Sequence, residues 1–271
     1  MQNPQFLYGT AWKENETERC VRDALEAGFR AIDTANQRKH YFEAGVGAAL
    51  NTSGIPREEL FLQTKFTFQR SQDERLPYDP KASITAQVKQ SFASSLEHLH
   101  TDYLDSYILH GPSQFNVPTL SEDDWQAWRA MEEIQATGKI RHLGVSNVNL
   151  AQLRALCDGA KQKPKFAQIR CYAKNTWEKE IRDYCSKQGV VFQGFSLLTA
   201  NRELWQHPRL LMIADRLQAT SSQVIFAFAQ QIGMLPLTGT KDKTHMLEDL
   251  KALAMNLSSS EIELIEKIGI I

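Results

Sequence analysis

The chain has 271 residues, of which 42% are hydrophobic and 23% are charged, and its formal net charge is −1. With 31 basic residues against 32 acidic ones, it carries no global basic field, which argues against nucleic acid or an anionic membrane as its partner. No stretch is long and apolar enough to span a bilayer, and the N-terminus lacks the charged and apolar regions of a signal peptide. We therefore expect a cytoplasmic, monomeric protein that acts on small molecules.

The four cysteines show neither CxxC spacing nor a metal-binding pattern. Cysteines of this kind in a cytosolic protein are typically reduced thiols that fill the core. We predict this state, and no metal site, for Cys20, Cys157, Cys171 and Cys185.

Apolar strand candidates alternate with amphipathic helix candidates along the chain. The predicted strands cover residues 6–8, 29–33, 60–65, 106–109, 142–145, 166–169, 190–195 and 234–237. Two helices are predicted at 43–50 and 83–99, and four more at residue pairs typical of capping boxes. These pairs are Asn15 with Glu18, Ser121 with Asp124, Thr220 with Gln223, and Ser258 with Glu261.

About eight strand–helix pairs with short connections predict an α/β protein with the (β/α)8 TIM-barrel fold. The absence of any low-complexity linker predicts a single domain over residues 1–271. A doubly wound sheet is the alternative, but no GxGxxG motif follows the first strand.

Polar residues stand at five predicted strand ends, which a barrel would bring to one rim, where barrel enzymes keep their active sites. They are Asp33, Lys65, His110, the pair Ser146–Asn147, and Gln168. Taken singly, each has a simpler interpretation, such as a helix cap, a solvated lysine or a structural histidine. Their joint occurrence in order favours an active site.

The loop after Asp33 carries Tyr41. A buried lysine beside an aspartate would stay charged, and its positive field would favour a neighbouring tyrosinate. Lys65 would thereby lower the pKa of Tyr41 and make it a usable acid near neutral pH. His110 could orient a carbonyl oxygen by a hydrogen bond. These groups fit the reduction of a carbonyl.

Three further residues could hold a nicotinamide. Asn147 and Gln168 could bind a planar amide through its oxygen and nitrogen, and Phe195 could provide the flat face on which the ring stacks. The predicted site therefore has a place for a hydride donor.

Ordered motifs along nearly the whole chain resemble the signatures of the aldo-keto reductase superfamily. They are Gly9-Thr-Ala-Trp12, Gly28-Phe-Arg-Ala-Ile-Asp-Thr-Ala35, Thr64-Lys65, Leu109-His110, Gly144-Val-Ser-Asn147 and Gln193-Gly-Phe-Ser196. The resemblance implies a (β/α)8 barrel that binds NADP(H) or NAD(H) in extended form, without a metal. It also implies a catalytic tetrad, here Asp33, Tyr41, Lys65 and His110.

The resemblance further implies cofactor and substrate contacts. Ser146, Asn147 and Gln168 would hold the carboxamide, and Phe195 would stack on the nicotinamide. Further cofactor contacts would come from Gly9, Thr10, Ser196 and Leu197. Substrate contacts would come from Trp12, Tyr41 and His110.

The sequence departs from the family pattern around the tyrosine. The family usually has it five residues after the aspartate, where this chain has Arg38, whereas Tyr41 lies eight residues on. A longer loop could deliver Tyr41 to the same point, since each doubling of loop length costs only about 0.6 kcal/mol. Arg38, Lys39 and His40 are the alternative acids. We also expect that the family's N-terminal hairpin and long C-terminal loop are missing.

The segment after the eighth predicted strand would bind the adenosine end of the cofactor. By resemblance, its contacts would be Thr238, Gly239, Thr240, Lys241, His245, Glu248 and Asp249. Lys241 and Lys243 could attract a 2′-phosphate as point charges, although a solvated loop would also contain lysines. We favour NADP(H) and keep NAD(H) open.

Two functions follow as hypotheses. The first is an NADPH-dependent aldo-keto reductase that reduces aldehydes or ketones to alcohols, with a tyrosine as general acid. The alternative is a cofactor-binding regulatory subunit with little or no turnover. Retention of Asp33, Lys65 and His110 favours the enzyme, because a binding module would need none of them. A sugar-phosphate isomerase is a more distant third.

Overall fold

The computed structural model describes residues 4–114 and 117–270, and within them eight parallel strands close into a barrel in sequence order. The strands are β1 Leu7–Gly9, β2 Ala31–Asp33, β3 Phe61–Phe66, β4 Leu104–Leu109, β5 Ile140–Ser146, β6 Phe166–Arg170, β7 Val191–Phe195 and β8 Leu235–Thr238. This confirms the predicted (β/α)8 barrel. The strand ends differ from the predicted ones by at most two residues, which is within the usual uncertainty of element boundaries.

Ten α-helices surround the strands in the described part of the chain. They are α1 Thr17–Ala27, α2 Glu43–Thr52, α3 Ile84–His98, α4 Glu122–Ala136, α5 Leu150–Gly159, α6 Lys179–Gln188, α7 Pro208–Leu217, α8 Ser221–Gln231, α9 Lys243–Lys251 and α10 Ser259–Lys267. None of them is both long and apolar enough to cross a membrane. Residues 1–3 and 271, on which the expectations about the two chain ends partly rest, lie outside the described residues.

Alternate strand residues fill the barrel, because side chains of a strand point to opposite faces with a period of two. The inner side chains form a small apolar cluster of Leu7, Ala31, Phe61, Ile108, Phe166 and Leu235. The opposite faces of the strands pack against the helices in a second, larger core. The same alternation points Gln63 and Lys65 inward above Phe61.

One glycine is required for this packing. A Cβ on Gly144 would lie 2.2 Å from Cδ1 of Ile108 and 2.9 Å from the carbonyl oxygen of Phe166. Any larger residue on this inward-facing position of β5 would push apart the strands that carry His110 and Gln168.

The helix signals in the sequence were correct in three of four cases. The capping boxes at Ser121, Thr220 and Ser258 are present. The box predicted from Asn15 and Glu18 is wrong. A 3₁₀ turn over Glu14–Glu16 precedes α1, whose N-terminus has no side-chain cap.

All four cysteines are buried free thiols. Burial raises the pKa of Cys157, and raises that of Cys185 to about 12. The thiols of Cys157 and Cys185 therefore stay protonated at neutral pH.

Candidate active site

A cavity of about 800 Å³ opens at the C-terminal ends of the strands. Most of the predicted site residues line it: Gly9, Trp12, Asp33, Tyr41, His110, Ser146, Asn147, Gln168, Phe195, Ser196, Leu197, Thr238, Gly239, Thr240, Lys241, His245, Glu248 and Asp249. Two predicted residues do not line it. Lys65 is fully buried beneath the cavity, and Thr10 is fully buried with its hydroxyl donating to the carbonyl of Asp33 at 3.1 Å. The Thr10 side chain thus supports β2, and the cofactor contact of Thr10 stays a prediction.

Asp33 and Lys65 form a buried ion pair. The Lys65 ammonium donates to both carboxylate oxygens of Asp33, at 2.8 and 2.7 Å, and to the carbonyl of Thr34 at 2.7 Å. Burial lowers the pKa of Lys65 from its ordinary value, and the charge of Asp33 offsets part of that effect. All three protons of the ammonium have acceptors, which is what a buried charge requires.

The loop after β2 brings Tyr41 to this pair despite its displacement in the sequence. The amides of His40 and Tyr41 both donate to the carbonyl of Gln37, at 3.0 and 2.9 Å, which folds the extra residues into a tight turn. The Tyr41 ring meets His110 edge-on with centroids 5.8 Å apart, and its centroid is 5.2 Å from Nζ of Lys65.

Tyr41 is a weaker acid than the sequence suggested. Its pKa is raised, first by burial and then by the negative charge of Asp33. The predicted lowering by Lys65 is therefore wrong for the ligand-free protein, in which burial and the charge of Asp33 outweigh the lysine. Tyr41 holds its proton throughout the neutral range.

The alternative acids on this loop are placed differently. Arg38 lies over the Phe42 ring at 4.4 Å, and neither it nor the exposed Lys39 lines the cavity. His40 does line the cavity, but its ring stacks on Trp12 with centroids 3.8 Å apart. His40 is therefore part of the cavity wall.

His110 is neutral in this environment. Burial, followed by the positive charge of Lys65, lowers its pKa well below the ordinary value. Its Nδ1 lies 2.7 Å from the hydroxyl of Thr67. When Thr67 donates to Nδ1, the other ring nitrogen carries the proton and can donate to an oxygen in the cavity.

The amides of Asn147 and Gln168 both direct their nitrogens into the protein. Asn147 donates to the carbonyl of His110 at 2.8 Å and to the Ser146 hydroxyl at 3.1 Å. Gln168 donates to Asp33 at 3.1 Å and to Gln193 at 3.0 Å. Neither amide oxygen accepts a hydrogen bond from any described residue, so both are available to an N–H group in the cavity.

Three residues that line the cavity have left-handed backbones: Trp12 with φ 61°, Asn147 with φ 56° and Ser196 with φ 56°. Such conformations are unfavourable for residues other than glycine and concentrate at functional sites. Their position around one cavity is an independent indication of a binding site.

The other end of the cavity has exposed charges. Lys241 forms an ion pair with Glu16 at 2.7 Å, and both side chains are about half exposed. Lys243 pairs with Glu26 and does not line the cavity. Of the two lysines expected to attract a phosphate, only Lys241 is therefore in position.

Asp249 is the buried group at this end. It is 4% exposed and accepts a hydrogen bond from the Thr238 hydroxyl at 2.7 Å. Burial raises its pKa to about 7. Glu248, beside it in α9, lines the same part of the cavity.

The sequence interpretation missed three buried residues that support the site from behind the cavity wall. Lys13 is almost fully buried and donates to the carbonyl of Gly239 at 2.8 Å, which ties the loop after β8 to the start of the chain. Gln63 and Gln193 are fully buried beneath Asp33 and Gln168. Gln63 lies two residues before Lys65 on β3, and Gln193 lies two residues before Phe195 on β7. This spacing, which puts each pair on the same face of its strand, was the signal in the sequence.

Sequence and structure comparisons now identify the family. The model of the aldo/keto reductase family matches residues 6–270. The chain belongs to the aldo/keto reductase family. As a member, it is an oxidoreductase of the class that reduces carbonyl groups with a nicotinamide cofactor.

Individual aldo/keto reductases show how far this relationship extends. A glyoxal reductase of Bacillus subtilis is 31% identical over 94% of this chain and 84% of its own length. A glycerol 2-dehydrogenase (NADP(+)) of Saccharomyces cerevisiae is 27% identical over 99% of this chain and 88% of its own. The crystal structure of an aldo/keto reductase from Brucella melitensis superimposes with a TM-score of 0.84 at 28% identity, covering 98% of this chain and 95% of that one.

Proposed function

We propose that this aldo/keto reductase reduces aldehydes or ketones to alcohols with NADPH, and that Tyr41 is the proton donor. The observation that carries the proposal is the position of Tyr41, packed against His110 and above the Asp33–Lys65 ion pair at the floor of the cavity. A protonated acid, a neutral hydrogen-bond donor and a buried cation thus surround one point, which suits a carbonyl oxygen that becomes negative.

The roles of these residues follow from their protonation states. The neutral His110 donates to the carbonyl oxygen and orients it beside Tyr41. When bound, the nicotinamide supplies the hydride that reduces the carbonyl carbon. Tyr41 then gives its proton to the oxygen, and Lys65 favours the tyrosinate that remains. The raised pKa of Tyr41 keeps it protonated until that moment.

Two observations support the binding of a nicotinamide cofactor in this cavity. The free oxygens of Asn147 and Gln168 can accept both N–H bonds of a carboxamide, and Phe195 lies beside them for stacking. The cavity then continues to Lys241 and Asp249, as an extended dinucleotide requires. At about 800 Å³, it is large enough for a cofactor and a small substrate.

The proposed preference for NADPH rests on Lys241, the lysine of this segment that lines the cavity. A charge-assisted hydrogen bond to a 2′-phosphate is worth about a tenfold preference. Because Glu16 already pairs with Lys241, we expect roughly that ratio in kcat/KM and no more.

A loss of NADPH absorbance with added carbonyl compounds tests the proposal. Glyoxal is the first substrate to try, because the similar Bacillus enzyme is named for it; aromatic and sugar aldehydes complete the panel. Tyr41→Phe should abolish most turnover. Tyr103→Phe is the matched control, since Tyr103 packs against Arg57 and Arg141 and does not line the cavity. Turnover that is equal in the two variants would contradict the role of Tyr41, and no turnover in the wild type would contradict the function.

A further inference from the structure

A layer of three glutamines lies inside the barrel directly below the proposed site. Gln63 comes two residues before Lys65 on β3, and Gln193 comes two before Phe195 on β7, so both point inward. Gln193 lies opposite Gln168 in the ladder between β6 and β7. Gln63 and Gln193 have no exposed surface at all.

The three amides form a closed hydrogen-bond network that ends on Asp33. Gln63 and Gln193 pair reciprocally, each nitrogen donating to the other's oxygen at 2.9 Å. The oxygen of Gln193 also accepts from Gln168 at 3.0 Å. The carboxylate of Asp33 accepts from Gln63 at 2.6 Å and from Gln168 at 3.1 Å.

The polarity of this network is fixed by chemistry. A carboxylate paired with Lys65 can only accept hydrogen bonds, so the groups of Gln63 and Gln168 that face it must be N–H donors. Reversing the Gln168 amide would bring its oxygen against the oxygens of both Asp33 and Gln193. Such contacts place one buried acceptor against another and take both acceptors away from the Gln168 nitrogen, which is strongly unfavourable.

We infer that Gln193, supported by Gln63, is a positioning residue that acts together with Asp33 to make Gln168 a hydrogen-bond acceptor toward the cavity. The carboxamide site therefore selects a cofactor ring whose substituent carries an N–H group. This inference rests on the proposed function, since it concerns the same nicotinamide site. It adds that the selectivity originates one layer below the residues that touch the cofactor.

The first experiment compares two oxidised cofactors by direct binding, without turnover. The probes are NADP+ and its 3-acetylpyridine analogue, in which a methyl group replaces the amide nitrogen. The wild-type protein should bind NADP+ about tenfold more tightly, the value of one or two lost hydrogen bonds. In Gln193→Met, which removes one of the two acceptors of the Gln168 nitrogen at similar volume, only Asp33 still holds the amide. The carboxamide site is then less well ordered, and the ratio should fall to about two- to threefold.

Gln193→Glu provides the conservative variant. The new carboxyl group is fully buried and is joined to Asp33 through Gln63 and Gln168, so it should stay protonated. It then offers one oxygen to Gln168 and one O–H to Gln63, as the glutamine does. The wild-type ratio should return in this variant. A folded Gln193→Met protein that keeps the wild-type ratio would overturn the inference.

A second measurement needs neither a variant at 193 nor a bound cofactor. The side-chain amide protons of Gln168, assigned by their loss in Gln168→Leu, should exchange slowly with solvent in ¹⁵N-labelled ligand-free protein. Fast exchange, with protection gained only when NADP+ is added, would show that the amide nitrogen faces the cavity and would overturn the inference. Failure of the wild type to bind NADP+ would instead refute the proposed function, and the exchange result would still decide the orientation of Gln168.

Discussion

The ion pairs at the two ends of the cavity differ in their exposure to water. At the floor, Asp33 and Lys65 are buried, and every proton of the lysine has an acceptor within 2.8 Å. At the adenosine end, Lys241 and Glu16 are about half exposed and meet through a single contact of 2.7 Å.

This difference in exposure determines how large an effect a substitution in each ion pair should have. Water screens an exposed pair, and its net contribution is small, whereas a buried charge that loses its partner leaves an uncompensated ion. The floor should therefore respond to single substitutions by orders of magnitude, and the exposed pair of Lys241 with Glu16 only by small factors.

Tyr41→Phe should have the largest effect. Removal of the proton donor should reduce kcat by about 10²–10⁴-fold, the usual contribution of a general acid. The dissociation constant for NADPH should change little, because the phenol is not among the groups that would hold the cofactor. Steady-state kinetics and a fluorescence titration measure the two quantities. Near-normal kcat would indicate that His40 or water is the proton donor.

Lys65→Met should destabilise the fold as well as the reaction. It leaves Asp33 buried without its counter-ion, which costs about 3–5 kcal/mol in the free energy of unfolding. Replacing both partners, in Asp33→Asn with Lys65→Met, should recover part of that loss, because no unpaired charge remains. Denaturant unfolding compares the variants. Equal stability of the single and double variants would show that the pair is not electrostatically coupled.

Asp249→Asn should produce a pH-dependent gain in stability. The pKa of Asp249 is about 7 in the folded protein, above its ordinary value, so the folded state binds this proton more tightly than the unfolded state. The wild type should therefore lose stability as pH rises from about 4 to about 7, whereas the asparagine variant should not. A shift of about three pKa units corresponds to about 4 kcal/mol, which is the upper limit of the difference at pH 8.

Unfolding experiments at pH 5 and pH 8 measure this difference. The hydrogen bond from Thr238 can be kept in both proteins, since an asparagine oxygen also accepts. A gap between the two proteins that is the same at both pH values would show that Asp249 does not titrate in this range.

Glu16→Gln should have the smallest effect and act on cofactor choice. It frees Lys241 for a 2′-phosphate and should raise the preference for NADPH over NADH by about two- to fivefold, less at high salt. Glu26→Gln is the matched control, because its partner Lys243 does not line the cavity. A preference that shifts equally in the two variants would point to the net charge of this part of the surface and not to Lys241.

The same contrast explains how much of the molecule the sequence could predict. The barrel and the positions of Asp33, Lys65 and His110 follow from alternating elements and polar strand ends, both of which are local signals. The pairing of Lys241 with Glu16 joins residues 225 positions apart, and no local pattern indicates it.

Besides long sequence separation, burial is the second reason why some features could not be predicted from the sequence. The pKa of Tyr41 moves upward because the folded chain surrounds it, and the sequence shows neighbouring charges but not desolvation. Gln63 and Gln193 were on the predicted inward face, but the direction of an amide is set only when the barrel closes and Asp33 is in place.

The most direct test of the account is a single turnover with NADPH that carries deuterium at the transferable position of its nicotinamide ring. With excess enzyme and glyoxal, mass spectrometry of the product should find one deuterium on the carbon of the new alcohol. The same experiment with Tyr41→Phe should give that product about 10²–10⁴-fold more slowly. An unlabelled alcohol, or labelled product formed at the same rate by both proteins, would contradict the proposed reduction by this cavity.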